Sequence, residues 1–291
     1  MKPPSPTLVS EAFPRTGSSL YYALAAAPTA HRRVLSLWLQ WWHQTAQIPL
    51  IISDPGVAET KLRWWQQEVN KASQGQASHP VLKELMEASA ASQACQLPAW
   101  SNWQSQLDEL ITLIHQTRWL DEASLIRHAQ RSTGLACEGA AVILGLDDEA
   151  ALSVARQIGC GLRQAHFLAR LGQDARAGWV NVGIDVLQQH DVRAHQLSKP
   201  VAGQTPDGWA GLLLHLQNRA SSTLTEACHA ARALPRPQRQ ALKPLLVLAQ
   251  IQLRQVAEIA RHGDLVLHER IVLTPIRKWW IGQRVIWGLL H

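Results

Sequence analysis

Gly159-Cys160-Gly161-Leu162-Arg163-Gln164-Ala165-His166-Phe167-Leu168-Ala169-Arg170-Leu171-Gly172-Gln173-Asp174-Ala175 is the stretch on which the reading of this chain turns. It falls in a helix expected over 148–172. Arg163, His166 and Arg170 share one face of that helix, by i, i+3 and i+7 spacing. Working outward, the same periodicity recurs in Ala-, Leu-, Gln-, Arg- and Glu-rich segments, all good helix formers. Helices are expected upstream over 122–144, 99–116, 80–93 and 57–72. Another spans 31–47, capped by Thr29 and ending before Pro49. Downstream, helices are expected over 209–233 and 238–262, separated by Leu234-Pro235-Arg236-Pro237, with a last one after Pro275. Residues 178–196 are less regular, and Pro200, Gly203, Pro206 and Gly208 mark 199–208 as a loop. No alternating strand, fixed-period repeat or long linker stands out. The expectation is one all-α domain over residues 1–291, with 1–16 as a flexible tail.

A chain of 291 residues with 46% hydrophobic content can bury a sizeable core. No apolar run approaches the roughly 18 to 20 residues of a membrane span. Met1 to Ser10 is rich in proline and polar residues where a signal peptide needs an apolar stretch, so a cytoplasmic protein is expected. The cysteines at 95, 137, 160 and 228 have neither zinc-site nor disulfide-framework spacing, and read as buried thiols. A net charge of +6 and a pI near 9.5 suit nucleic acid, anionic lipid or a diphosphate, and equally plain solubility. No nucleic-acid recognition motif accompanies the charge, so no nucleic-acid partner is expected. The histidines form no HExxH, no GxSxG elbow precedes a helix, and no glycine-rich phosphate loop occurs.

Four segments carry a pattern in order. The first is Ser18-Ser19-Leu20-Tyr21-Tyr22-Ala23, continuing to Arg32-Arg33-Val34-Leu35-Ser36-Leu37-Trp38. The second is Trp64-Trp65-Gln66-Gln67-Glu68, followed by His79-Pro80-Val81-Leu82. The third runs from Gly159 through Asp174-Ala175-Arg176-Ala177-Gly178 to Asp185-Val186-Leu187, and the fourth from Leu234-Pro235 to Lys278. Together they resemble the squalene/phytoene synthase family over nearly the whole chain. The resemblance implies an isoprenoid-synthase-type helical bundle around a central cavity. It also implies head-to-head condensation of two prenyl diphosphates, with aspartate-rich motifs on facing helices holding magnesium.

The chain departs from that pattern where the metal would bind. The first aspartate window falls at Thr45-Ala46-Gln47-Ile48-Pro49, and no Asp or Glu occurs from residue 12 to 53. In the second, Arg170 and Gln173 replace acidic residues and only Asp174 matches. Trp179 and Asn181 replace the family's Arg and Tyr. No metal site is therefore expected, and magnesium belongs only to the enzymatic alternative. The run from His166 to Ala175 resembles the branch of the family that includes an assembly factor for respiratory complex I.

Two functions follow as expectations. One is a non-catalytic binding or assembly factor with a respiratory-complex partner. The other is a prenyl-diphosphate transferase, or a prenyl-diphosphate binder using basic residues. Arg163, His166, Arg170 and Arg176 are candidates for an anion-binding floor, since arginine's fork suits phosphate oxygens. Asp174 pairs with Arg170 at i, i+4 or joins that site. Tyr22, Trp38, Trp41, Trp42, Trp64 and Trp65 either line a hydrophobic ligand cavity, fill it, or pack the core. The segment 276–291 is amphipathic. It either packs on the domain or touches an anionic membrane, placing the protein at the periphery of the inner membrane.

Overall fold

A computed structural model describes residues 13–116, 118–201 and 204–290. Fifteen α-helices account for most of these residues. The first five are α1 (Ser19–Ala25), α2 (Thr29–Ile51), α3 (Pro55–Ser73), α4 (Pro80–Ala90) and α5 (Trp100–His115). Local chemistry sets several starts. Ser18 accepts a hydrogen bond from the Tyr21 amide, and Asp54 from that of Val57. Pro55 and Pro80 stand in first turns, where no N–H is missed. Helix α2 departs from expectation at both ends. Thr29 is its first residue rather than its cap, and the helix runs through Pro49 to Ile51. Proline so near the end removes one ladder bond, and burial of Ile48 and Pro49 holds the last turn in place.

The expected helix 122–144 is interrupted. Helix α6 (Glu122–Ala129) gives way to a π-turn at Gln130–Gly134 before α7 (Leu135–Ile143) resumes. The turn accommodates α8 (Glu149–Ala169), the central helix, whose Gly159 crosses it backbone to backbone. A Cβ at Gly159 would lie 2.3 Å from the Thr133 carbonyl oxygen. Helix α8 ends at Ala169 and is capped by Arg170, short of the expected 172, and α9 (Leu171–Arg176) follows.

Gly178, at φ +97°, then reverses the chain. Beyond the reversal lies one of two short strands that the sequence pattern did not announce. β1 (Arg118–Trp119) and β2 (Val180–Gly183) pair in parallel. They are too short for an alternating pattern, and all of β2 is buried.

Helices α10 (Ile184–Gln189), α11 (Ala194–Ser198), α12 (Trp209–Ala233), α13 (Arg236–Ala241), α14 (Lys243–Arg261) and α15 (Pro275–Ile286) complete the bundle. α7, α12 and α14 pack around α8, and α15 closes over α1 and α14. One large apolar core runs through the bundle, with a small second cluster of Leu113, Trp119, Leu125 and Phe167. The four cysteines are buried and unbridged. Of the expected tail, residues 1–12 lie outside the described residues. Phe13 packs on the core with its ring 5.4 Å from that of His43.

Candidate functional site

At the heart of the bundle, Ala46 and Leu50 of α2 face Arg163, His166 and Phe167 of α8 across a small cavity. Leu110 and Leu113 of α5 form one wall. Asp174, Trp179 and Asn181 form another. Its volume is about 10 Å³, the threshold for holding a single water.

Arg163 is 9% exposed. Its Nε donates to Thr133 Oγ1 at 2.8 Å, and its guanidinium lies 5.6 Å from the centre of the Phe167 ring. The π-turn makes that first contact by pressing Thr133 against α8. Burial lowers the Arg163 pKa to about 10, partly offset by Asp174, so the side chain stays charged at neutral pH. Among the described residues no carboxylate lies within 4 Å of it. Arg170 is already engaged: its Nε and a terminal nitrogen both meet Asp174 Oδ1 at 2.9 Å. Asn181 donates to Asp174 Oδ2 at 3.2 Å and accepts from the Trp119 indole at 3.4 Å. Burial pushes the Asp174 carboxyl up, against the pull of Arg170, Asn181 and Arg163. Desolvation, and then Arg163, Arg170 and Arg270, hold His166 well below the ordinary imidazole range, so it is neutral at pH 7.

The structure thus gathers Arg163, His166, Arg170 and Asp174, four of the five residues proposed for the anion floor. Arg176 points elsewhere. Its guanidinium donates to the carbonyls of Leu267 and, at 3.0 Å, His268, tying down the turn after α14.

None of the six proposed aromatic residues lines the cavity. Trp38 and Trp41 are fully buried in a cluster with Trp103, with ring centres 4.5 to 4.9 Å apart. Trp38 donates to the Ala136 carbonyl at 2.9 Å, and Gly139 leaves room for its ring. Trp42 and Tyr22 are partly buried at the core's margin. The Trp65 ring lies tilted against the His79 ring at 4.4 Å, and Trp64 is exposed. The aromatic lining comes instead from Phe167 and Trp179. Trp179 and Asn181 were marked in the sequence as departures from a pattern. Leu50, Leu110 and Leu113 at the cavity, and Thr133, which holds Arg163, carried no such mark, because only tertiary packing brings them to these places.

The sequence profile described as squalene/phytoene synthase matches residues 13–277. No curated protein sequence matches the chain. Among solved structures, a dehydrosqualene synthase in complex with ligand superposes with a TM-score of 0.77 at 14% identity, covering 93% of this chain and 91% of that one. The squalene synthase HpnC from Alicyclobacillus acidocaldarius gives 0.63 at 15%, covering 83% and 98%. YisP from Bacillus subtilis strain 168 gives 0.64 at 17%, covering 91% and 89%. At these identities the likeness is one of fold.

Proposed function

Because the chain belongs to the squalene/phytoene synthase family, we propose that it is a member that has lost prenyl transfer and acts by binding, as an assembly factor for a respiratory complex. One observation carries this reading: the cavity between α2 and α8, where the family resemblance would put the prenyl diphosphates, is about 10 Å³, with Leu50, Leu110, Leu113, Phe167 and Trp179 among its walls beside Arg163, His166, Asp174 and Asn181. Pockets that hold ligands of drug size run to roughly 300 to 1,000 Å³.

The side chains around the cavity also do not fit magnesium, which demands near-octahedral oxygen ligation through carboxylates and phosphates. On the α2 side stand Ala46 and Leu50. On the α8 side the one carboxylate, Asp174, has Oδ1 held by Arg170 and Oδ2 by Asn181. Two arginines stand beside it, and a like charge near a dication is worth on the order of several kcal/mol against binding. Among the described residues, no group of three or more His, Cys, Asp or Glu is placed to hold a metal. The assembly role rests on the resemblance of His166 to Ala175 to the complex I assembly branch, and its partner would be a subunit of that complex.

A second reading has its own support. The Arg163 cation is buried without a carboxylate within 4 Å, which suits an anion held without metal. One experiment separates the readings. With farnesyl or geranylgeranyl diphosphate and millimolar magnesium, the protein is expected to release no diphosphate above an enzyme-free control. Cells lacking it are expected to lose NADH:ubiquinone oxidoreductase activity. Turnover of either substrate overturns the first reading. Magnesium-free pyrophosphate binding that disappears in Arg163→Met establishes the second.

A further inference from the structure

The exposed tryptophans are concentrated in one place. Trp279, Trp280 and Trp287 are 44, 50 and 57% exposed, with Ile276 at 72% and Leu289 at 63% beside them. Among the described residues the one other exposed tryptophan is Trp64, on α3. At 100° per residue, Ile276, Trp279, Trp280 and Trp287 share one face of α15 and its final turn. The opposite face carries the buried Ile281, Gly282 and Val285, packed toward α1 and α14. So α15 does pack on the domain, but by its smaller apolar face. The larger one looks outward, with Trp280 edge-on to Trp287 at 5.9 Å and 6.1 Å from Trp279. Packing against the core does not account for three large apolar side chains turned to solvent.

The charge along this segment of sequence has one sign. From residue 270 to 290 the chain carries Arg270, Arg277, Lys278 and Arg284 and no Asp or Glu. Arg277 and Arg284 lie together along one side of the indole face, at about 100° and 80° from Ile276 on the helical wheel. Arg277 shares Glu258 at 2.9 Å, while no carboxylate of the described residues lies within 4 Å of Arg284, Arg270 or Lys278. No helix of the described residues is long and apolar enough to cross a membrane. Indoles beside Arg284, which has no carboxylate partner among the described residues, and Arg277, which shares Glu258, on a helix held flat against the domain, match the layering of an anionic bilayer surface. There the rings settle at the headgroup boundary and the guanidinium groups meet lipid phosphates.

We propose that this face of α15 docks the protein peripherally on anionic lipid, with Trp279, Trp280 and Trp287 in the interface and Arg277 and Arg284 on the headgroups.

The test is flotation of the full chain with two kinds of vesicle, phosphatidylcholine alone and phosphatidylcholine with about a third phosphatidylglycerol, at low and high salt. Each cation near an anionic surface contributes about fivefold. Binding should therefore favour the anionic vesicles by at least roughly tenfold and weaken at high salt. The double variant Arg277→Gln, Arg284→Gln should lose about ten- to twentyfold. The triple variant Trp279→Ser, Trp280→Ser, Trp287→Ser should lose binding while keeping the parent's circular-dichroism melt, since these rings lie outside the core. Equal affinity for both vesicles, absence of binding to either, or a triple variant that floats like the parent overturns the proposal. Absence of binding to either would leave a protein partner as the occupant of this face.

Discussion

Gly159→Ala is expected to destabilise the protein by about 3 kcal/mol or more, enough that much of the expressed chain fails to accumulate in soluble form. The reason is where the added methyl would go. It would meet the Thr133 carbonyl oxygen at 2.3 Å and the Gly134 Cα at 2.7 Å, both backbone atoms of the π-turn. A flexible side chain swings aside at little cost, but here either the turn or the central helix must shift. The shift also reaches the cavity, because Thr133 is the residue that holds Arg163. Gly282→Ala serves as the contrast. Its methyl would find its nearest neighbours, Tyr22 and Val247, at 3.7 Å, an ordinary contact. Alanine is the better helix former by about 1 kcal/mol, so this change should be neutral or stabilising. Thermal melts of the two variants decide the matter; similar melting temperatures would refute the close-crossing argument.

The second large effect is expected at Glu68. Its side chain is 1% exposed, yet it is charged. Burial alone would push its carboxyl up. Hydrogen bonds from Lys71, from the Ser78 hydroxyl, and from the Ser78 and His79 amides outweigh burial and hold it at about 2, against an ordinary 4.5. One acidic side chain thus organises the turn between α3 and α4, and places His79 to accept from the Val81 amide at the start of α4. The shift corresponds to about 3 kcal/mol, or about 2 once screening from the nearby surface is allowed for.

The sign follows from the protonation states. Between pH 4.5 and about 2 the unfolded chain binds the proton more readily, so stability falls with falling pH across that window. Glu68→Gln should lower the melting temperature by roughly 4 to 10 °C at neutral pH. The gap between parent and variant should be constant above about pH 5.5, shrink below 4.5 and close near 2. Melts at four or five pH values test this; a gap that persists unchanged at pH 2.5 would mean that the carboxylate's charge is not the cause.

Glu68 also shows what a sequence pattern can carry without revealing its reason. The Trp64-Trp65 to Glu68 and His79-Pro80-Val81 run was recognisable as a unit, and it is one physically. The carboxylate binds the His79 amide and the Trp65 ring lies against the His79 ring. Nothing in residue spacing says that a glutamate will bend back eleven residues to its own chain.

What the sequence determined by itself is mostly local. Helical periodicity, prolines in first turns and polar caps at Ser18, Asp54 and Asp148 set most helix positions, because those preferences are satisfied within a few residues of chain. Composition is likewise readable directly: no acidic residue from 12 to 53, and none from 270 to 290. The tertiary structure decided which side chains face one another. It ran α2 through Pro49, opened a π-turn where Gly159 crosses, and sent Arg176 to the carbonyls of Leu267 and His268. It also sorted the tryptophans. Trp38, Trp41 and Trp103 went to the core, Trp179 to the cavity wall, and Trp279, Trp280 and Trp287 to the surface. An indole's burial depends on whether another element arrives to cover it, here Gly139 of α7 over Trp38 and no element over Trp287. That depends on packing between segments far apart in sequence, and local propensity does not encode it.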